Sequence, residues 1–424
     1  MKNVVLIVLA GGEGKRFWPL TTNKALFPFF GLPLFAQTIA NIPKEVSRMV
    51  IVTSRANNAA IRSYRFPIET ATVMQKEPTG MADALLACRD VACEGSLLIV
   101  NVDDVVDQTL LSQIVHSAIK SGASGVIPGW KPAKHISSGY LSFSGDRVTG
   151  IVEKPEEGKE PSPYANIVCH YISDGSEFIS EITKTKSVSD DVYEKTLTSL
   201  MTRHVFAFVP YKGYFSPLKY PWHVLDVMHT LFGEMESYRG KNVIIKKNVI
   251  IEGPVYIEDG VKIFENSKIV GPCYIGKNTI IGNNNIIRES HIGANCVTGF
   301  TTDITRSYIG ENCWFHSNYI GDSVLEENIS MGSGAVLANL RLDDGEIISG
   351  RNKLGAMIGK GVRIGVNASV MPGVKIGKNS FIGSGVILDR DLPEDSFCVA
   401  KPGFTITKNA NKTPTSREAF KNKL

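Results

Sequence analysis

From residue 245 an aliphatic residue returns at every sixth position: Ile245, Ile251, Ile257, Ile263, Ile269, Ile275, Ile281 and Ile287. A second block in the same rhythm runs through Ile358, Ile364, Val370, Ile376, Ile382 and Leu388, often followed by Gly, as in IGKGVRIGV and IGKNSFIGS. Neither an α-helix nor an ordinary strand has this period. It fits a coil of three short strands per turn, in which one aliphatic side chain per strand points into a triangular core and small residues or Asn make the corners.

Upstream of about residue 232 the pattern is different. Apolar strand-like runs (Val4 to Leu9, Met49 to Val52, Leu97 to Val100) alternate with helix-like stretches such as Gly80 to Cys88 and Leu110 to Ser121. This alternation predicts an α/β sandwich with parallel strands. The change of texture falls near Tyr238 to Lys241, which divides the chain into residues 1–235, a coil over 240–407 and a polar, basic tail over 408–424. A chain of 424 residues has room for two or three separate cores.

The net charge of +4, from 46 basic and 42 acidic side chains, lacks the cationic stripe that a nucleic acid backbone requires, so no nucleic-acid partner is expected. Seven scattered cysteines without a Cys-x-x-Cys pair read as reduced thiols of a cytoplasmic protein. The opening MKNVVLIVLAGG is too short an apolar run to span a membrane and reads as a buried strand, so no membrane partner is expected.

That strand runs into LAGGEGKRFWPLTTNKALFP, Leu9 to Pro28. Ala10, Gly11, Gly12 and Gly14 let the backbone approach a triphosphate and offer it N–H groups, while Arg16 and Lys24 supply positive charge. A glycine-rich turn after a strand suits a dinucleotide fold equally well. The added Arg-x-x-Pro and the lysine beyond it resemble the signature of sugar-nucleotide pyrophosphorylases. Further matches follow in that family's order: Gln75 with EPTGMADAL, which contains Gly80; Asp103 in LLIVNVDDVVD; Gly139; the Glu153-Lys154-Pro155 triplet; and Asn166.

The resemblance implies a Rossmann-like α/β nucleotidyltransferase domain followed by an all-β left-handed parallel β-helix. It implies a nucleoside triphosphate and a sugar 1-phosphate as substrates, with Gln75 and Gly80 reading the base and Asp103 holding Mg2+. Gly139, Glu153, Lys154 and Asn166 then hold sugar hydroxyls and phosphate. The sugar-phosphate oxygen attacks the α-phosphate in line, and catalysis rests on positioning and on charge neutralisation by magnesium, Arg16 and Lys24. The chain departs from the pattern in several places. Between Arg16 and Lys24 it is two residues shorter, Lys15 replaces a common Thr, and Val102 replaces the Gly before Asp103. In GYFSPLKYPWHVLDVM, Pro217 stands where the family has its second metal-binding Asp, leaving Asp103 alone or with Asp226 as substitute.

The period-six repeats resemble the hexapeptide family, whose left-handed coils associate as trimers, and such a coil serves either as an oligomerisation stalk or as a second active site. Between Arg306 and Gly345 the period breaks, and the segment resembles the acetyltransferase region of bifunctional uridylyl/acetyltransferases. His316, Tyr319 and Asn339 keep their places, as do Arg288 and Lys353, whereas Thr305 occupies the position of an acceptor-holding lysine. In that resemblance His316 takes a proton from a substrate amine as it attacks acetyl-CoA. Four readings therefore stand: a nucleotidylyltransferase for uridine or thymidine nucleotides, a bifunctional enzyme that also N-acetylates, a mannose-1-phosphate guanylyltransferase, and a non-catalytic sugar-nucleotide-binding regulator.

Overall fold

A computed structural model describes residues 4–77, 79–401, 407 and 408, so the expected tail lies outside the described residues except for Lys408. The strand Val4–Leu9 is buried along its whole length. Its alternate residues feed two cores, Val4, Leu6 and Val8 on one face of the sheet and Val5, Ile7 and Leu9 on the other. This strand pairs in parallel with Val46–Thr53 and Ser96–Asn101, and Val46–Thr53 pairs in parallel with Thr70–Met74. The helices Met81–Ala87 and Leu110–Ser121 match the helix-like stretches in the sequence.

The ten-stranded sheet is mixed, which corrects the expectation of parallel strands throughout. Beyond Ser96–Asn101 the strand Cys169–Ile172 runs antiparallel to it, and Gly139–Ser144 forms an antiparallel hairpin with Arg147–Glu153. An apolar run reports that a strand is covered on both faces, not which way its neighbour runs. Direction is set by the connections, and a tight turn at Gly145 permits only an antiparallel return.

From Tyr238 the chain coils. Strand partners lie 18 residues apart, as in Ile250, Lys268 and Ile286, and stack in parallel into three faces. The period-six residues from Ile257 to Ile287 and from Ile358 to Leu388 point inward and are buried in one core. Ile251 remains 39% exposed because it belongs to the first turn, with no turn beneath it. Corners are made by residues with φ between about +50° and +60°, among them Asn248, Asn266, Asn284 and Asn379, since asparagine tolerates this left-handed region better than other side chains with a Cβ. Between Val336–Leu337 and Met357–Ile358 the coil gives out a loop, closed by bridges Leu340 to Lys353 and Ile348 to Arg351.

One coil face carries an outward aromatic ladder of Tyr238, Tyr256, Tyr274, His291 and Tyr308, with successive ring centroids 4.6, 5.7, 4.7 and 4.4 Å apart. Its upper rungs pack on the N-terminal domain: Tyr308 lies 5.1 Å from Phe27 and 5.8 Å from Phe29, and Tyr274 lies 5.4 Å from Phe30. A single hydrophobic cluster therefore runs from the sheet of one domain into the outer face of the other. Among the described residues no helix is long and apolar enough to cross a membrane.

Candidate active site

The loop after Val4–Leu9 is held from below by two asparagines. Asn57, fully buried, donates from Nδ2 to the Ala10 carbonyl at 2.7 Å and to Asn23 Oδ1 at 3.0 Å, and Asn23 Nδ2 donates to the Gly12 carbonyl at 3.2 Å. A trans peptide directs its N–H opposite to its C=O, so the Gly11 and Glu13 amides point away from these asparagines. Gly14 has φ +68°, the left-handed region that glycine enters without strain. Any Cβ at Gly11 would sit 2.7 Å from Gln75 Oε1, so glycine is required for the loop to lie against that amide. Gln75 is itself buried, and its Nε2 donates to the Gly80 carbonyl at 3.2 Å. The structure thus brings Gly11, Gln75 and Gly80 together.

Lys24 is buried and its Nζ donates to Asp103 Oδ2 at 2.9 Å. The shortened segment reaches this position through a tight turn, Lys24–Leu26, capped by Asn23 Oδ1, which accepts from the Ala25 N–H at 3.0 Å. Arg16 is exposed, with its guanidinium 5.6 Å from the Tyr220 ring, and Tyr220 stacks on Trp222 at 4.7 Å. Gly139 faces Glu153 across the hairpin. A Cβ on Gly139 would lie 2.9 Å from Glu153 Oε2 and 3.6 Å from Asn166 Cβ, so these three meet. Asn166 Oδ1 is fixed by the His170 ring at 3.0 Å, and that ring is in turn bonded to the Tyr193 hydroxyl at 2.7 Å. Lys154 takes φ +47° and its ammonium lies 3.1 Å from Glu153 Oε1.

The sequence reading did not single out Lys219. Its Nζ donates to the Ser137 carbonyl at 2.9 Å, and it lines a cavity of about 400 Å³ with Ser137, Pro217 and Tyr220. Desolvation pulls its pKa below the ordinary lysine value. Asp104 and Glu153 oppose that shift, while Arg16 and Lys154 are near enough to add to it. Asp104 is half-buried and its carboxyl is pushed up to about 6, chiefly by desolvation. Pro217 lies in register with Asp104 on the paired strand. Asp226, considered as its substitute, is ion-paired to Arg351 of the coil loop. A lysine two residues after Pro217 was visible in the sequence. Nothing local marked Asn57.

On the coil, Tyr319 donates to Asn339 Oδ1 at 3.3 Å, Asn339 donates to Asp322, and Asp322 receives a two-pronged contact from Arg306 at 2.7 and 2.8 Å. On the same face a single nitrogen of Arg288, Nη2, donates to both Asp303 oxygens at 3.0 Å, and Thr305 is buried between Arg288 and Gly321 in register. His316 sits exposed on a corner, with its backbone N–H bonded to Asn318 Oδ1 at 2.8 Å. Lys353 is exposed on the neighbouring loop. Among the described residues no hydrogen bond ties the His316 ring or the Lys353 ammonium into the network.

The sequence matches the nucleotidyl transferase family over residues 5–213 and the bacterial transferase hexapeptide (six repeats) family over residues 254–289 and 355–390. It is 30% identical to the bifunctional protein GlmU of Methanococcus aeolicus, over 93% of this chain and 97% of that protein. It is 29% identical to the bifunctional protein GlmU of Methanococcus maripaludis (96% and 99% covered). It is also 29% identical to the bifunctional sugar-1-phosphate nucleotidylyltransferase/acetyltransferase of Sulfurisphaera tokodaii (92% and 98% covered). With its glycine loop, its coil of hexapeptide turns and these full-length likenesses, the chain belongs to the family of the bifunctional GlmU proteins.

Proposed function

We propose that the N-terminal domain transfers a nucleotidyl group from a nucleoside triphosphate to a sugar 1-phosphate and releases pyrophosphate. The observation that carries this reading is the Lys24–Asp103 contact of 2.9 Å beside the loop that Gln75 covers. Amides of Gly11, Gly12 and Gly14 receive the triphosphate, and Gln75 with the Gly80 backbone reads the base edge. Arg16 and Lys24 take up the negative charge that builds on the phosphates in the transition state. Glu153 and Asn166 orient the sugar hydroxyls, while Lys154 and Lys219 hold the sugar phosphate.

The donor set fits magnesium in a limited way. Among the described residues no group of three or more His, Cys, Asp and Glu is placed to hold an ion. Asp103 has one carboxylate oxygen on Lys24 and a second that is not so engaged, and one carboxylate plus substrate phosphates is a normal magnesium arrangement. When bound there, magnesium supplies charge neutralisation for the phosphates.

A second reading is acetyl transfer from acetyl-CoA to an amino-sugar phosphate on the coil. It is favoured by the Tyr319–Asn339–Asp322–Arg306 network, with His316 as the base beside it. Arg288 and Lys353 then serve the acceptor or the coenzyme. The exposed Trp314, Phe381 and Phe397 on one coil face suit a homotrimer, and seven free cysteines, five of them buried, suit a cytoplasmic setting. Pyrophosphate release with a panel of nucleoside triphosphates and sugar 1-phosphates, guanosine and mannose included, tests the first activity and separates it from a binding-only regulator. Acetyl-CoA consumption with glucosamine 1-phosphate tests the second.

A further inference from the structure

On the coil face that meets the N-terminal domain, the residue after each inward aliphatic is Gly276, Gly293, Gly310, Gly359 or Gly377, except in two turns, where it is Glu258 or Glu326. The glycines are needed because the next turn of backbone lies directly above. A Cβ at Gly310 would meet the Glu326 carbonyl carbon at 2.7 Å. At the second of these turns the Glu326 side chain leaves the coil and crosses into the other domain. Glu326 is only 3% exposed, and its Oε1 accepts from the Thr21 and Thr22 backbone N–H groups at 2.8 and 2.7 Å. Its Oε2 accepts from Thr21 Oγ1 at 3.1 Å and from the Lys360 N–H at 3.0 Å. A carboxylate buried to this degree is tolerated because donors from two domains replace its water.

Thr21 and Thr22 open the short arm that ends in Lys24. The next residue, Asn23, binds the Gly12 carbonyl and caps the turn that carries Lys24 onto Asp103. We infer that Glu326 of the coil is a positioning residue for nucleotidyl transfer: it fixes the Thr21–Lys24 arm, and through it the phosphate loop and the Lys24 ammonium. The hexapeptide coil is then part of the nucleotide site and not only a support. This inference rests on the proposed nucleotidyl transfer, and its test is arranged to fail separately from it.

The full-length chain is compared with Glu326→Gln, Glu326→Asp and, as a control on interface loosening, Arg351→Ala, which removes only the Arg351–Asp226 ion pair. Glutamine keeps the shape but has one acceptor oxygen in place of two. We expect its KM for the nucleoside triphosphate to rise about tenfold or more, the scale of losing hydrogen bonds to a charged group. We also expect faster amide exchange at Thr21 and Thr22, partial recovery in Glu326→Asp, and neither effect in Arg351→Ala. Unchanged KM and exchange in Glu326→Gln, or equal changes in Arg351→Ala, would overturn the inference. Titration with the triphosphate alone reads the same anchor without turnover: weaker binding in Glu326→Gln than in wild type supports it, and equal binding overturns it. If wild type binds the triphosphate but releases no pyrophosphate with any sugar phosphate, the proposed activity fails and the titration still decides the anchor.

Discussion

Lys219 and Glu194 show how an ionisable group without an ion pair marks a residue for work or for cost. Lys219 is half-buried, its one hydrogen bond among the described residues goes to a carbonyl, and neither Asp104 nor Glu153 pairs with it directly, so an incoming phosphate supplies a direct counter-charge. Lys219→Met is expected to raise KM for the sugar 1-phosphate about ten- to a hundredfold while Lys219→Arg retains most of the affinity, as initial-rate kinetics will read. Glu194 is buried with its Oε2 unpartnered, and its carboxyl is pushed up to about 7 by desolvation, with Glu153, Asp190 and Asp191 adding to the shift. The fold therefore binds this proton more tightly than the unfolded chain does. The stability contributed by Glu194 is present below the ordinary glutamate value of 4.5 and is lost as pH rises through about 7. Glu194→Gln is expected to flatten that slope, and to be more stable than wild type at pH 8 by at most about 3 kcal/mol in urea unfolding, with no gain at pH 4.

At the level of elements, the inward side of the coil was legible and the outward side was overlooked. Ile257 through Ile287 repeat because each strand offers one side chain to the core, so spacing alone identified them. The same logic applies outside, where Tyr238, Tyr256 and Tyr274 recur at the 18-residue turn length and announce a stacked face. Strand direction in the ten-stranded sheet was not legible, because it depends on connections and not on apolar content. Of the candidate site, Lys24, Asp103, Gln75, Gly139, Glu153 and Asn166 were marked by motif. Asn57 was not, because a buried amide serving a distant carbonyl leaves no local pattern. The ladder has a measurable role. Tyr308, whose hydroxyl donates to the Pro28 carbonyl at 2.6 Å, should lose about 1 kcal/mol of stability as Tyr308→Phe. As Tyr308→Ala it should lose about 3–5 kcal/mol, with the two domains then unfolding in separate calorimetric transitions.

Across the whole molecule, two chemistries are proposed on one pairing of domains that share a hydrophobic cluster. The coil turn from Tyr319 to Glu326 faces both: Tyr319 and Asp322 join the network around Asn339, and Glu326 enters the nucleotide domain. His316 lies on a corner away from the glycine loop, so His316→Ala should abolish acetyl-CoA consumption while changing pyrophosphate release by less than about twofold, as expected of independent sites. Nucleotidyl transfer as proposed requires Asp103 and Lys24 to act together on a nucleotide's phosphates. Its most direct test is pyrophosphate release by the full-length chain with magnesium across the nucleotide and sugar-phosphate panel, set beside Asp103→Asn and Lys24→Met. Turnover is expected with at least one substrate pair, with a loss of about a hundredfold or more in each variant. Turnover that survives both substitutions, or a wild-type chain inactive with every pair, would contradict it.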